Sequence, residues 1–292
     1  MKDHLFRVAT KDGTLRATAA VTTELVDAIC QRQGTDPTAS VALARLVTGT
    51  ALMGSLLKGD QRLALMIEAN GPLKKLHAET DALGQVRGSV KQPVSGIPPT
   101  ETGFDVPAAV GLAGFLHVVK DLGLKEPYRG MVMLYSSEIA EDIAYYLTTS
   151  EQVPSTVALG VYLEKDGHIS AAGGLLVQAL PEGEEALISL LEQRLISLPS
   201  ISTLLRDGIG PRQMIESLFD GIPLGQAEET PLVFRCTCSR PQVLKMLKTL
   251  GAEELQDMAD KNEETSVTCE FCKECYTFSP DEIKALLTGG DK

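Results

Sequence analysis

The side chains best equipped for chemistry in this sequence are cysteines. The chain has six, and five of them fall in its last sixty or so residues. They read Arg235-Cys236-Thr237-Cys238, then about thirty residues of mostly helical character, then Cys269-Glu270-Phe271-Cys272-Lys273-Glu274-Cys275-Tyr276. Two close thiol pairs on a chain that can fold back between them make a four-thiolate tetrahedral zinc site from Cys236, Cys238, Cys269 and Cys272. The first pair is Cys-x-Cys, not the Cys-x-x-Cys commoner in structural zinc ribbons. Four sulfurs leave no open coordination position, which argues against hydrolytic zinc chemistry.

Thiolates are also nucleophiles and are readily oxidised. An oxidant can carry one to a sulfenic acid, which a near neighbour then resolves to a disulfide. Cys269 and Cys272 are suitably close. Cys236 and Cys238 can also bridge, in a very small ring that is more easily reduced. Each disulfide removes two ligands, so zinc would dissociate. Cys30 stands alone, just before a predicted helix, and reads as a small buried hydrophobe.

The segment that must position the four sulfurs is short, and domains of about 60 residues bury only about 60% of their unfolded surface. Its apolar content is thin: Leu244, Met246, Leu247, Leu250, Leu255, Met258, Phe271, Phe278, Ile283 and Leu286. Zinc adds about 10–16 kcal/mol in small zinc peptides, and that binding energy is folding energy. The segment is therefore expected to fold when metallated and to loosen without the metal; the alternative is a permanent structural zinc module.

Hydrophobic content of 43% with 23% charged residues is that of a soluble protein able to bury a core. The net charge of −12 argues against an electrostatic nucleic-acid or anionic-membrane binder. The opening residues Met1 to Arg7 carry no apolar signal core, and no run approaches the ~18 apolar residues of a membrane span. The expected compartment is the cytoplasm, where the cysteine pairs are reduced and metal-bound.

Upstream, residues 4–22 read as a β-hairpin about Asp12-Gly13. Asp36-Pro37 starts a helix running to about Lys58-Gly59, apolar nearly all round and hence buried. Three strands fall between Gln61 and Val90, a Pro- and Gly-rich loop over 91–108, and two more strands at Phe115–Val119 and Gly130–Tyr135. Ser136-Ser137-Glu138 opens a helix with Ile139, Ile143 and Leu147 as its stripe; Glu138, Glu141 and Asp142 read as its solvated face. Thr156–Leu163 and His168–Val177 form a hairpin about Asp166-Gly167. This makes residues 1–180 an α+β domain. Pro181-Glu182-Gly183 marks a boundary. Beyond it Leu187, Leu191, Leu195 and Leu198, with Ile188 adjacent, begin an amphipathic helical stretch over 181–231. That stretch is too apolar for a solvated linker and should pack on something. The zinc segment occupies 232–292.

No enzyme motif presents itself. There is no Gly-x-x-x-x-Gly-Lys-Ser/Thr loop, no His-Glu-x-x-His and no Gly-x-Ser-x-Gly. Gly111-Leu112-Ala113-Gly114 lacks the third glycine of a dinucleotide fingerprint. His4, His77, His117 and His168 have no spacing that makes a site. The reading is not an enzyme. Two alternatives stay open: a thiol-disulfide oxidoreductase, needing an exposed low-pKa Cys-x-x-Cys at a helix start, and a zinc-ribbon nucleic-acid-binding protein, which the acidic balance disfavours.

The cysteine pattern, with Phe234-Arg235-Cys236-Thr237-Cys238-Ser239 and Cys269-Glu270-Phe271-Cys272, resembles the zinc signature of the 33 kDa chaperonins, the redox-regulated holdases of the bacterial cytosol. Glu138 to Tyr146, Ser150-Glu151-Gln152-Val153-Pro154 and Ala171-Ala172-Gly173-Gly174-Leu175 resemble the family's first domain, so the likeness spans essentially the whole chain. It implies an ATP-independent chaperone, inactive when reduced and zinc-bound. Peroxide or hypochlorite together with unfolding conditions would activate it to protect unfolding client proteins, usually as a homodimer. It implies the disulfides Cys236–Cys238 and Cys269–Cys272, a client-binding and dimerising first domain, and a metastable segment over 181–231. Cys275 departs from the pattern. It is expected to be an exposed non-ligand thiol, with competition for the metal or a Cys272–Cys275 disulfide as alternatives.

Overall fold

The computed structural model describes residues 1–101, 103–180 and 185–288, with backbone alone at 185, 186, 188, 192 and 288. The boundary read at Pro181-Glu182-Gly183 and the Ile188 side chain lie outside the described residues. The chain separates into two compact units, Met1–Arg235 and Cys236–Lys292.

In the first unit the order is β1 (His4–Ala9), β2 (Leu15–Val21), α1 (Thr23–Gln33), α2 (Pro37–Gly54), β3 (Arg62–Ala69), β4 (Lys75–Asp81), β5 (Gln85–Val90), α3 (Val106–Val110), β6 (Gly114–Asp121) and β7 (Tyr128–Met133). There follow α4 (Ala140–Thr149), β8 (Ser155–Leu163), β9 (Ile169–Ala179), α5 (Glu185–Ser197), α6 (Ile201–Arg206), α7 (Pro211–Leu218), β10 (Glu228–Pro231) and β11 (Val233–Phe234). The strands form a five-stranded sheet ordered β10-β1-β2-β9-β8 and a six-stranded sheet ordered β11-β5-β4-β3-β6-β7. This is the expected α+β class.

Helix α2 is the centre of the core. It packs on strands of both sheets, which is why it is apolar all round: residues 38–54 are buried apart from Arg45. Small residues let helix α4 and strand β4 approach it. A Cβ on Gly49 would lie 2.4 Å from Ile143 Cδ1, and one on Gly54 2.3 Å from Thr80 Cγ2. The start at Asp36-Pro37 is as expected, with the Asp36 carboxylate accepting from Ala39 N at 2.8 Å. The end comes at Gly54 rather than Lys58, because Leu57 N turns back onto Gly54 O and Gln61 N onto Lys58 O to bring the chain into β3.

Cys30 lies within α1, ahead of α2, and is buried, as expected of a small hydrophobe; burial pushes its thiol up to about 12. Two further corrections concern local structure. The loop over 91–108 gives way to α3 at Val106. Asp142 is not on a solvated face: it is fully buried. Its carboxylate accepts from the backbone N–H groups of Tyr135, Ser136, Ser137 and Ile139 at 2.7–3.2 Å. Those four bonds bend the chain over 135–139, so α4 starts at Ala140 rather than at Ser136.

The amphipathic stretch packs on the five-stranded sheet. Leu191, Ile201, Leu204, Met214, Ile215, Leu218 and Phe219 cover a second apolar cluster made by Phe6, Val8, Leu15, Ala17, Ala19, Leu175 and Val177. Gly160 permits the closest approach, since a Cβ there would lie 2.5 Å from Ser202 N. Beyond α7 the chain turns extended. β10 pairs antiparallel with β1, and β11 pairs parallel with β5, so one strap touches both sheets.

The second unit holds α8 (Arg240–Leu247), a 3-10 turn (Lys248–Leu250), α9 (Ala252–Asp260), the hairpin β12 (Thr265–Thr268) and β13 (Cys275–Phe278), and α10 (Pro280–Thr288). Its core is small: Val243, Leu247, Leu255, Ala259, Phe278 and Ile283 are its buried apolar residues.

Candidate metal centre

The two cysteine pairs sit on different devices. Cys236 and Cys238 lie on an extended segment that ends at Ser239, the N-cap of α8. Cys269 and Cys272 occupy the turn between β12 and β13. There Lys273 adopts a left-handed backbone (φ 62°), Lys273 N donates to Cys269 O at 3.0 Å, and Cys269 N donates to Glu274 O at 2.9 Å. That turn folds the second pair back on itself. Arg240 holds the first pair's helix to the hairpin: its guanidinium donates to Thr277 O at 2.7 Å, pairs with Glu282 at 2.6 Å and lies over the Phe278 ring.

The result is a cluster. The sulfurs of Cys236, Cys238, Cys269 and Cys272 all lie within 4.8 Å of one another and are half-buried. Cys236 and Cys269 are 3.7 Å apart, and Cys238 and Cys272 3.2 Å, with all four free thiols. A tetrahedron with Zn–S of about 2.3 Å has edges of about 3.8 Å, so the donor set fits a zinc ion. The electrostatics agree. Burial opposes ionisation of Cys236, but hydrogen bonds from Cys238 N–H and the neighbouring thiols outweigh it and bring that thiol down to about 7. Burial, reinforced by that neighbour, pushes Cys238 and Cys272 up. Binding a metal to such a cluster requires deprotonated thiols, so affinity for the ion would rise with pH.

Strand alternation sorts the remaining residues. Tyr276 and Phe278 face the small core, while Cys275 and Thr277 face solvent. Cys275 is exposed and stands outside the group of four. Tyr276 was not singled out by the sequence reading; its hydroxyl lies 3.2 Å from Cys238 Sγ. Its place on the inward face of a strand four residues past Cys272 is the signal that could have found it. The histidines do not converge on a site: His168 pairs with Asp166 at 2.7 Å, His77 with Glu79 at 3.2 Å, and His4 bonds Lys2 O. Cys269 and Cys272 lie on a hairpin turn, not at the helix start that a thiol-disulfide oxidoreductase needs. No helix of the described residues is long and apolar enough to cross a membrane.

An α+β unit of two sheets about a buried helix, joined to a small module built around converging cysteines, defines a two-part protein whose chemistry is that of sulfur. Comparison with known proteins places it further. The sequence profile described as Hsp33 protein matches residues 3–279. The chain is 86% identical to the 33 kDa chaperonin of Syntrophotalea carbinolica over 98% of its own length and 100% of that relative's. It is 51% identical to that of Geobacter sulfurreducens over 97% and 94%. The crystal structure of the 33 kDa chaperonin from Thermotoga maritima superposes with a TM-score of 0.90 at 35% identity, covering 99% of this chain and 98% of that one. The chain belongs to the Hsp33 family, and its class is that of a heat-shock chaperone.

Proposed function

We propose that this protein is a redox-regulated, ATP-independent holdase of the cytoplasm, inactive when reduced. In that state Cys236, Cys238, Cys269 and Cys272 hold Zn2+, which supplies the cross-link that the small second unit lacks. The observation that carries the reading is four free thiols within 4.8 Å of one another in a unit with a six-residue apolar core.

The chemistry balances on the chain's own sulfurs and a peroxide. One thiolate takes an oxygen from hydrogen peroxide, becoming a sulfenic acid and releasing hydroxide. A second thiolate attacks that sulfur, forms the S–S bond and expels the oxygen as a second hydroxide, so two electrons pass from sulfur to peroxide. Proximity in the folded cluster does not select the partners, since sulfur contacts of 3.7 and 3.2 Å cross between the pairs. The pairing that the resemblance implies is compatible with chain length once the unit loosens. Cys236–Cys238 and Cys269–Cys272 stay within reach, whereas cross-pairs lie more than thirty residues apart. These are the disulfides we assign, with loss of zinc as their consequence.

Residues 1–180 would dimerise in the oxidised form and bind unfolding proteins, residues 181–231 act as a releasable apolar cover, and residues 232–292 as the switch. The acidic charge supports protein clients over nucleic acid or anionic membrane. The test titrates the reduced, metal-loaded protein with peroxide at heat-shock temperature. Zinc release, thiol count and light scattering from an unfolding client should move together. Zinc release without suppressed aggregation removes the holdase reading.

A further inference from the structure

The hydroxyl of Tyr276, 3.2 Å from Cys238 Sγ, has a direction fixed by chemistry. A metal-bound thiolate carries no proton, so the phenol O–H donates and the sulfur accepts. The ring is held in place from behind. Tyr276 sits in β13 opposite Val267, and its ring packs on the cluster of Val243, Leu247, Leu255, Phe278 and Ile283. Backbone N–H groups serve other sulfurs, Cys238 N–H at Cys236 and Glu274 N–H at Cys272. The Cys238 bond differs in coming from a side chain that only the folded core aims.

We propose that Tyr276 is a positioning residue that guards Cys238, setting the oxidant threshold at which the four sulfurs release their metal. The inference rests on the proposed redox switch. The phenol proton draws density from the sulfur that a peroxide attacks and so lowers its nucleophilicity: attack breaks the O–O bond, leaves sulfenic acid on sulfur and hydroxide in solution. A second thiolate then forms S–S and expels the sulfenyl oxygen as hydroxide, two electrons having passed to the peroxide. While the phenol holds on, Cys238 is the poorer nucleophile in either step. Because the ring is anchored in the core, loosening the core withdraws the phenol and exposes the sulfur to oxidant. One contact thereby joins the folded state of the unit to the reactivity of its metal site.

The test compares full-length wild type with Tyr276→Phe, both reduced and loaded with Zn2+ or Co2+. One charge-assisted hydrogen bond lost in the attack corresponds to about tenfold in rate. Peroxide-driven zinc release should therefore accelerate about tenfold in Tyr276→Phe. The sulfur-to-cobalt charge-transfer band should move to lower energy while the tetrahedral d–d bands stay, a signature that loss of packing alone would not give. Wild type grown with 3-fluorotyrosine, a stronger donor, should release zinc more slowly, and the same labelling in Tyr276→Phe should change nothing. An unshifted cobalt band with an unchanged rate overturns the proposal. If Tyr276→Phe cannot be isolated metal-loaded, an unchanged rate in fluorotyrosine-labelled wild type overturns it alone. Neither readout uses a client, so failure of the holdase reading shows up separately, as zinc release without aggregation suppression.

Discussion

Stripping the proposed zinc from the reduced protein tests the balance between metal and core in the second unit. The second unit buries Val243, Leu247, Leu255, Ala259, Phe278 and Ile283. At about 1.5–3 kcal/mol for each large side chain, that core contributes on the order of 10 kcal/mol before any conformational entropy is charged against it. A four-thiolate zinc site contributes about 10–16 kcal/mol. Metal and core are therefore of equal weight, and a unit that loses half of what favours folding should not stay folded. The first unit has no such dependence, since its core comprises some fifty buried apolar residues about α2 and the two sheets. Hydrogen exchange resolved by peptide, before and after a high-affinity chelator under reducing conditions, separates the two. Protection in α8, α9, α10 and the β12–β13 hairpin should fall by at least about a hundredfold, while α2 and β3 keep theirs. Far-UV ellipticity should drop by roughly a quarter, the share of α-helical residues contributed by α8, α9 and α10. Cys238→Ser should show the same pattern without chelator. Retained protection in the stripped second unit would refute the reasoning that the metal is its main support.

Other expectations follow from single contacts. Gly160→Val should force Ser202 and Ile201 away from the five-stranded sheet at about 1–3 kcal/mol; the reduced variant should then bind an apolar dye and suppress client aggregation without oxidant, and wild-type dye binding would count against the cover. Burial first, and the charge of Glu24, raise the Asp3 carboxyl from 3.8 to about 6. The folded state therefore holds that proton more tightly than the unfolded chain. Its stability contribution is unfavourable by about 2–3 kcal/mol above pH 6 and is relieved as pH falls from 6 to 4. Asp3→Asn, measured by denaturant melts, should flatten stability across that window. Alkylation of the metal-loaded protein should label exposed Cys275 and spare buried Cys30 and the four clustered thiols; Cys275→Ser should leave zinc stoichiometry unchanged, and a lost equivalent would make Cys275 a ligand.

The sequence made most of this legible where signals were local. Alternation about Asp166-Gly167 and the Asp36-Pro37 helix start both appear in the structure, and so does the convergence of the two cysteine pairs. What escaped was non-local. Helix α1 receives its N-terminal acceptor from Asp3, which takes Leu25 N–H at 2.6 Å from twenty-two residues upstream, so no cap precedes it in sequence. Asp142 looked solvated because four backbone donors cannot be read from a side chain's charge. β10, Glu228-Glu229-Thr230-Pro231, has no apolar alternation because it is an edge strand held by backbone bonds to β1. Tyr276 carried no motif; only the hairpin register sets it against sulfur.

The same edge strands suggest how order in the cysteine module would bear on the apolar cover without any active residue. Past β10 the strap is stitched by few backbone bonds: Leu232 N to Asp3 O, Val233 N to Gly84 O and Arg235 N to Val86 O. β11 is two residues long and sits at a sheet edge. Cys236 is the next residue in the chain. When the module is ordered, the strap's far end is tethered and fraying is suppressed; when it is not, fraying can start at Arg235 and run back through β11 and β10 toward α7. The steps through β11 break a bond or two each and those through β10 a four-pair ladder; the element reached next, α7, hides Phe6, Val8 and Leu15 beneath Met214, Ile215 and Leu218. Under the proposed switch, a short, weakly held strap would let a chemical event at four sulfurs act on an apolar surface elsewhere in the chain. A longer, well-paired strand in its place would insulate one from the other.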